Sequence, residues 1–187
     1  MQRRKRQAWS VDEFLNWEEQ QPERWELQAA GPWRMMAGGT LAHGRIIANL
    51  IRMLDRQTRG GPCETLAEQI KVRTAARVYY PDVFVRCGPA DLSASVIEDP
   101  RLVVEVVSPS TEKIDETEKM REYFAVPGLC AYVLVRQAPR AVEIYTAPHR
   151  LLAELLAPGD RCELPGLGYV LTFEEAFEGL PEDLSGG

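Results

Sequence analysis

A glutamate set in a run of valines constrains this chain more than any other feature. The segment Leu102-Val103-Val104-Glu105-Val106-Val107-Ser108-Pro109-Ser110 is a continuous apolar run, and it predicts a central strand covered on both faces over 101–107. Side chains alternate along a strand. Val103, Glu105 and Val107 therefore share one face, and Leu102, Val104 and Val106 share the other. Glu105 interrupts an apolar face, and a carboxylate buried there needs a partner. That partner is either a basic side chain in a structural ion pair or a metal ion.

A second acid favours the metal. Asp82, in Tyr80-Pro81-Asp82-Val83-Phe84-Val85, opens another apolar strand. Taken alone, Pro81-Asp82 is an ordinary turn pair. A strand, a loop of ordinary length and the Glu105 strand follow it, an arrangement that allows the two acids to be neighbours in adjoining strands. Two converging strand-borne carboxylates suit a hard dication, magnesium or manganese. With a lysine nearby, such a site suits phosphodiester cleavage.

The helix expected over Glu112–Phe124 carries two candidate lysines, Lys113 and Lys119. Tyr123 lies one turn beyond Lys119 and faces the core, which brings Lys119 close to the core boundary. Asp115 and Glu116 precede Lys119 by four and three residues, so an exposed ion pair is the plain alternative. His43, at the start of another helix, reads either as a structural histidine or as a direct participant. Glu26 reads most simply as half of a cross-strand pair.

Around these residues the chain reads as follows. Ser10 and Glu13 form a capping box at the head of a short helix. Trp25–Gln28 and 33–36 form a hairpin, and Gly38-Gly39 marks a turn. The strongest helix starts at Thr40 or the glycines before it. Leu41, Ile46, Ile47, Leu50, Ile51 and Leu54 lie on one face, and Gly60-Gly61-Pro62 ends it. Residues 64–73 and 78–86 read as two strands, 87–99 as a loop, and Ser108–Thr111 as a turn. Strands over 131–135, 141–145 and 151–156 follow, then a short helix near 173–179.

With 187 residues, one domain over 10–187 is the expectation, after a basic and mobile stretch over 1–9. No run is long enough to span a bilayer and no secretory signal is visible, so a cytoplasmic location is the default. Cys63, Cys87, Cys130 and Cys162 form no local motif and read as scattered buried thiols of a reducing compartment. The net charge of −6 argues against a broad, indiscriminate grip on nucleic acid. It leaves room for a local basic surface, for which Arg45, Arg52, Arg56 and Arg59 are candidates.

Glu26, Met36, His43, Pro81-Asp82-Val83, Val103–Ser110, Lys119, Tyr123, Gly128 and Tyr132-Val133-Leu134-Val135 fall in an order that resembles the Uma2 family. That family is similar to the PD-(D/E)XK, restriction endonuclease-like superfamily, and the resemblance spans about residues 10–180. It implies an α/β (α+β) fold with a mixed central sheet flanked by helices. It also implies a metal-dependent nuclease, with Asp82 and Glu105 as the metal-binding pair, Lys119 and His43 as further catalytic residues, and DNA as the substrate. Self-pairing into a homodimer is compatible with it, and no membrane partner is. In the superfamily a lysine follows the second acid by two residues. Here Val107 stands there, and Lys119 takes its place. Two rival readings remain at this level: a binding or regulatory module that kept the fold without turnover, and an acid–base enzyme acting on a small molecule.

Overall fold

The computed structural model describes residues 9–35, 39–108, 112–147 and 151–181, with 151–153 as backbone alone. The expectations for the basic N-terminus, Met36, Gly38 and Pro109-Ser110-Thr111 lie outside the described residues.

In chain order the elements are α1 (Val11–Glu18), β1 (Trp25–Gln28), β2 (Gly31–Arg34), α2 (Leu41–Thr58), β3 (Cys63–Ala67), β4 (Lys71–Arg73), β5 (Val78–Tyr79), β6 (Val83–Cys87), β7 (Val96–Ile97) and β8 (Pro100–Val107). A helix in three pieces follows: α3 (Glu112–Ile114), a π-helical turn over Asp115–Lys119, and α4 (Met120–Tyr123). Then come β9 (Ala131–Gln137), β10 (Arg140–Thr146), β11 (Leu151–Leu156), β12 (Arg161–Glu163), β13 (Val170–Thr172) and α5 (Phe173–Ala176).

A six-stranded mixed sheet forms the centre, in the order β11-β10-β9-β8-β6-β3. The valine strand β8 lies inside it, antiparallel to β6 and parallel to β9. The alternation expected from the sequence is what builds the two layers. Leu102, Val104 and Val106 pack with Ile46, Leu50, Met53 and Leu54 of α2. Val103 and Val107 face the other way, toward Tyr79, Tyr123, Tyr132 and Leu134. A five-stranded sheet, β2-β1-β5-β4-β7, lies beside the first. A third core under α1 joins Val11, Phe14, Leu27 and Val78. Among the described residues, no helix is long and apolar enough to cross a membrane.

Local signals account for most of the ends. Ser10 caps α1 with the full reciprocal pair to Glu13. Thr40 caps α2 through His43 N–H, and Gly60, at φ 78°, takes a left-handed conformation that suits glycine after a helix. Asn49, buried on α2, donates to the carbonyls of Ala176 and Glu178 and so ties α5 to α2.

Four readings need correction. The run 64–73 is two strands, β3 and β4, that lie in different sheets, and 78–86 divides in the same way into β5 and β6. Apolar residues resume directly after each crossing, so periodicity alone does not reveal the change of sheet. The hairpin partner of β1 begins at Gly31, not Trp33, because its turn is the tight Ala29-Ala30 pair with Gln28 opposite Gly31. Cys63 and Cys87 are not free thiols: they form a disulfide across β3 and β6, where they stand directly opposite in register. Only the strand pairing brings them together, and sequence spacing carries no trace of it. Cys130 and Cys162 are free and half-buried. Last, the stretch 87–99 is not all loop, because Val96–Ile97 pairs with β4 as β7. Three of the arginines offered for a local basic surface have acidic neighbours. Arg52 pairs with Glu178, Arg56 with Glu175 at 2.8 Å, and Arg59 with Asp55.

Leu50 is fully buried between α2 and the central sheet. Leu50→Ala is expected to destabilise the protein by about 2–5 kcal/mol, through lost transfer energy and the cavity left behind. Urea unfolding is the check, with a lower midpoint at an unchanged slope.

Candidate active site

Strand register assembles the acids. Ala67 of β3 is opposite Val83 of β6, and Val83 is opposite Val104 of β8. One residue further along each strand stand Glu68, Asp82 and Glu105. The first two mark the neck of an excursion: the chain leaves the central sheet after Ala67, builds β4 and β5 in the smaller sheet, and returns at Val83. Asp82 is therefore fixed at a crossing between sheets. Its Oδ2 accepts a 2.6 Å hydrogen bond from Val106 N–H, which leaves Oδ1 turned to His43 Nε2 at 3.6 Å.

Glu105 lies deeper, at 3 % exposure. Its Oε1 accepts from Lys119 Nζ at 3.0 Å and from the Tyr123 hydroxyl at 3.4 Å. Lys119 Nζ also lies 3.2 Å from Asp115 Oδ1 and 3.6 Å from Glu26 Oε1. Asp115 and Lys119 are both buried, so their pairing is an internal contact, not the exposed pair weighed from sequence. The π-helical turn makes this possible. An extra residue in the turn re-aims the side chains, a device frequent at functional sites. The carbonyls it loosens find other donors: Thr117 Oγ1 bonds to Lys113 O at 2.6 Å, and the Tyr132 hydroxyl to Asp115 O at 3.0 Å. Lys113 is exposed and faces away.

Glu26 is not half of a polar cross-strand pair. Opposite it in the hairpin stands Trp33, not a cation. It is buried, bonded to Tyr80 N–H and the Gln28 amide at 3.1 Å each, and it reaches Lys119 from the smaller sheet. Glu68 sits in a run that reads from sequence as one strand. Its only signal is the polar pair Glu68-Gln69 breaking that run. Asp115 had a signal, the four-residue spacing to Lys119, but its burial was not legible.

Carboxylates outnumber the cation here, and the electrostatics follow. Burial pushes the Glu105 carboxyl well above its usual range. Lys119 opposes this without overcoming it, and Asp115, Asp82 and Glu26 add to it. Burial alone would lower Lys119, but Glu105, Glu26 and Asp115 outweigh that and hold the ammonium well above its usual value. The hydrogen bond to Asp82 raises His43, against partial burial. Gly39 leaves room for the imidazole: a Cβ there would stand 3.2 Å from His43 Cδ2.

Which residues fit a metal ion can be read from donor positions. Among the described residues, one group brings three donors together: His43, Glu68 and Asp82, with ligand atoms within 4.8 Å of one another. Glu105 adjoins it through the strand register. His43 and Asp82 side chains are 21 % and 17 % exposed, and Glu68 is exposed, so the group opens to solvent while Glu105 and Lys119 close it from below. Hard oxygen donors at an open position are a donor set that suits a catalytic dication.

A family model named Uma2, described as "Putative restriction endonuclease", matches residues 11–174. The uncharacterized protein slr1290 of Synechocystis sp. is 34% identical over 180 residues, 91% of this chain and 92% of that protein. A second Synechocystis protein, sll1609, also uncharacterized, is 30% identical over 138 residues, 71% of this chain and 77% of that one. Among solved structures, a "putative nuclease belonging to DUF820" from Anabaena variabilis superposes with a TM-score of 0.75 at 16% identity, over 90% of this chain and 97% of that one. At that identity the likeness speaks for a shared fold.

Two substitutions separate the charges. Lys119→Met leaves Glu105, Asp115 and Glu26 buried without their cation, and is expected to cost about 3–5 kcal/mol at neutral pH, read by denaturant unfolding. Glu105→Gln acts oppositely. The folded-state pKa of Glu105 lies above its ordinary 4.5, so its contribution to stability is fully present below that value and is lost as pH rises through the folded-state value. Melting curves without added dication should show the variant gaining on the wild type as pH rises above 4.5.

Proposed function

The chain belongs to the Uma2 family, and from that premise we propose that it is a metal-dependent nuclease that hydrolyses phosphodiester bonds in DNA. The observation that carries this reading is the juxtaposition of Asp82 and Glu105 on adjoining strand ends with a buried, charged Lys119 against Glu105. Asp82 and Glu105 would hold a magnesium or manganese ion. Such an ion supplies Lewis-acid polarisation of a phosphoryl oxygen and lowers the pKa of bound water.

The chain's own residues do the rest. Val106 N–H fixes the rotamer of Asp82 and keeps one carboxylate oxygen pointed outward. Lys119 stays protonated because carboxylates surround it. It offers a fixed positive charge to the negative charge that builds on a phosphate, at no cost of solvent reorganisation during the reaction. Val107 stands at the position where the superfamily motif has its lysine, and Lys119 reaches Glu105 from the helix instead. Tyr123 braces the same oxygen of Glu105.

A second reading has one observation in its favour. Lys119 is 5 % exposed and ringed by three carboxylates, as suits a structural ion cluster in a nucleic-acid-binding module without turnover. Cleavage assays decide between the two. With magnesium or manganese present, the wild type is expected to cut DNA, and Asp82→Asn and Glu105→Gln each to lose at least about 100-fold, the scale of one removed electrostatic contact to the transition state. Cleavage retained in both variants would sink the nuclease assignment at this site.

A further inference from the structure

Beside Glu105 and Lys119 there is a second set of donors. His43 Nε2, a Glu68 carboxylate oxygen and an Asp82 carboxylate oxygen lie within 4.8 Å of one another. Opposite ligands in an octahedral site with bonds of about 2.1 Å stand about 4.2 Å apart, so small side-chain rotations close the set on one ion. The three come from different elements: the first turn of α2, the residue after β3, and the residue before β6. The central sheet's register fixes the last two, because Ala67 and Val83 are direct partners. Thr40 caps the helix that carries His43. Glu105 Oε1, by contrast, is already occupied by Lys119 and Tyr123.

We propose that His43 and Glu68 are ligands of the ion that Asp82 holds, and that the imidazole makes this ion a first-row transition dication, with manganese the preferred metal over magnesium. The assignment rests on the preceding reading only in taking Asp82 as a metal-binding acid. Magnesium prefers all-oxygen, largely hydrated surroundings and loses water reluctantly. An imidazole nitrogen adds affinity for transition metals and little for magnesium. Two carboxylates beside it supply the charge and hardness that manganese accepts. The exposed side of the group leaves the remaining positions to water and to a phosphate oxygen.

The test is metal binding by the intact protein. Manganese and magnesium are titrated calorimetrically into the wild type, His43→Asn and Glu68→Gln. Pulsed paramagnetic resonance of the manganese-loaded proteins then looks for a nitrogen coupling. The expected result is tighter binding of manganese than of magnesium, with a histidine nitrogen signal in the wild type that His43→Asn abolishes. His43→Asn should weaken manganese by at least about tenfold, the scale of losing even an indirect metal partner, and leave magnesium nearly unchanged. Glu68→Gln, at an exposed turn, should weaken manganese and keep the nitrogen signal. No nitrogen coupling in the wild type, or an unchanged manganese-to-magnesium ratio in His43→Asn, overturns the proposal. Nitrogen-coupled manganese in a protein that cuts no DNA supports it while removing the nuclease reading.

Discussion

Lys119 is the one cation among the described residues in contact with Glu26, Glu105 and Asp115 together, and the arrangement of this protein turns on it. The ammonium lies 3.0 to 3.6 Å from three carboxylates held by three separate elements: the central sheet, the smaller sheet and the helix that carries the lysine itself. A buried carboxylate without such a partner is costly. The lysine thus pins two sheets and a helix to one point, and the same point is where chemistry is expected. Burial first, and then the excess of negative charge around it, makes Glu105 reluctant to ionise. A cation held beside Asp82 would relieve that reluctance and so link binding to stability.

The layers around the site divide the labour. The face of β8 that holds Val104 and Val106 is packed against α2 and has no polar business. The opposite face carries Glu105 among tyrosines, whose hydroxyls serve the backbone and the acids: Tyr79 to Glu118, Tyr123 to Glu105 and Tyr132 to the Asp115 carbonyl. An apolar layer interrupted by aromatic hydroxyls keeps the carboxylates dry without leaving their oxygens unsatisfied.

Much of this was legible in the residues and some was not, for identifiable reasons. The valine run gave a central strand because burial on both faces demands it, and the alternation placed Glu105 on the correct layer. Thr40 and the capping box at Ser10 are local chemistry and are read locally. Glu26 escaped because its partner, Lys119, is far away in sequence and joins it only through the smaller sheet. Glu68 escaped because a two-residue polar break is all that marks the change of sheet. The Cys63–Cys87 bridge escaped because its pairing is a property of β3 against β6. The π-helical turn has no sequence signature here: the spacing of Asp115 and Lys119 fits an ordinary exposed helical pair equally well. Whatever depended on contacts distant along the chain stayed hidden until the sheets were assembled.

The neck at Glu68 and Asp82 has a consequence for how this chain tolerates change in length. Those two residues adjoin the ladder of the central sheet, so residues inserted or deleted at the tip of the excursion, around 74–77, do not shift them. Glu26 follows the same frame. It accepts from Tyr80 N–H, two residues before Asp82, and its strand pairs with β5 on that same side of the tip. A longer or shorter tip would therefore leave Glu26 beside Lys119, with Asp82 and Glu105 in place. All four acids are thus referred to one rigid frame, and the length of the tip can vary without rebuilding the charge cluster.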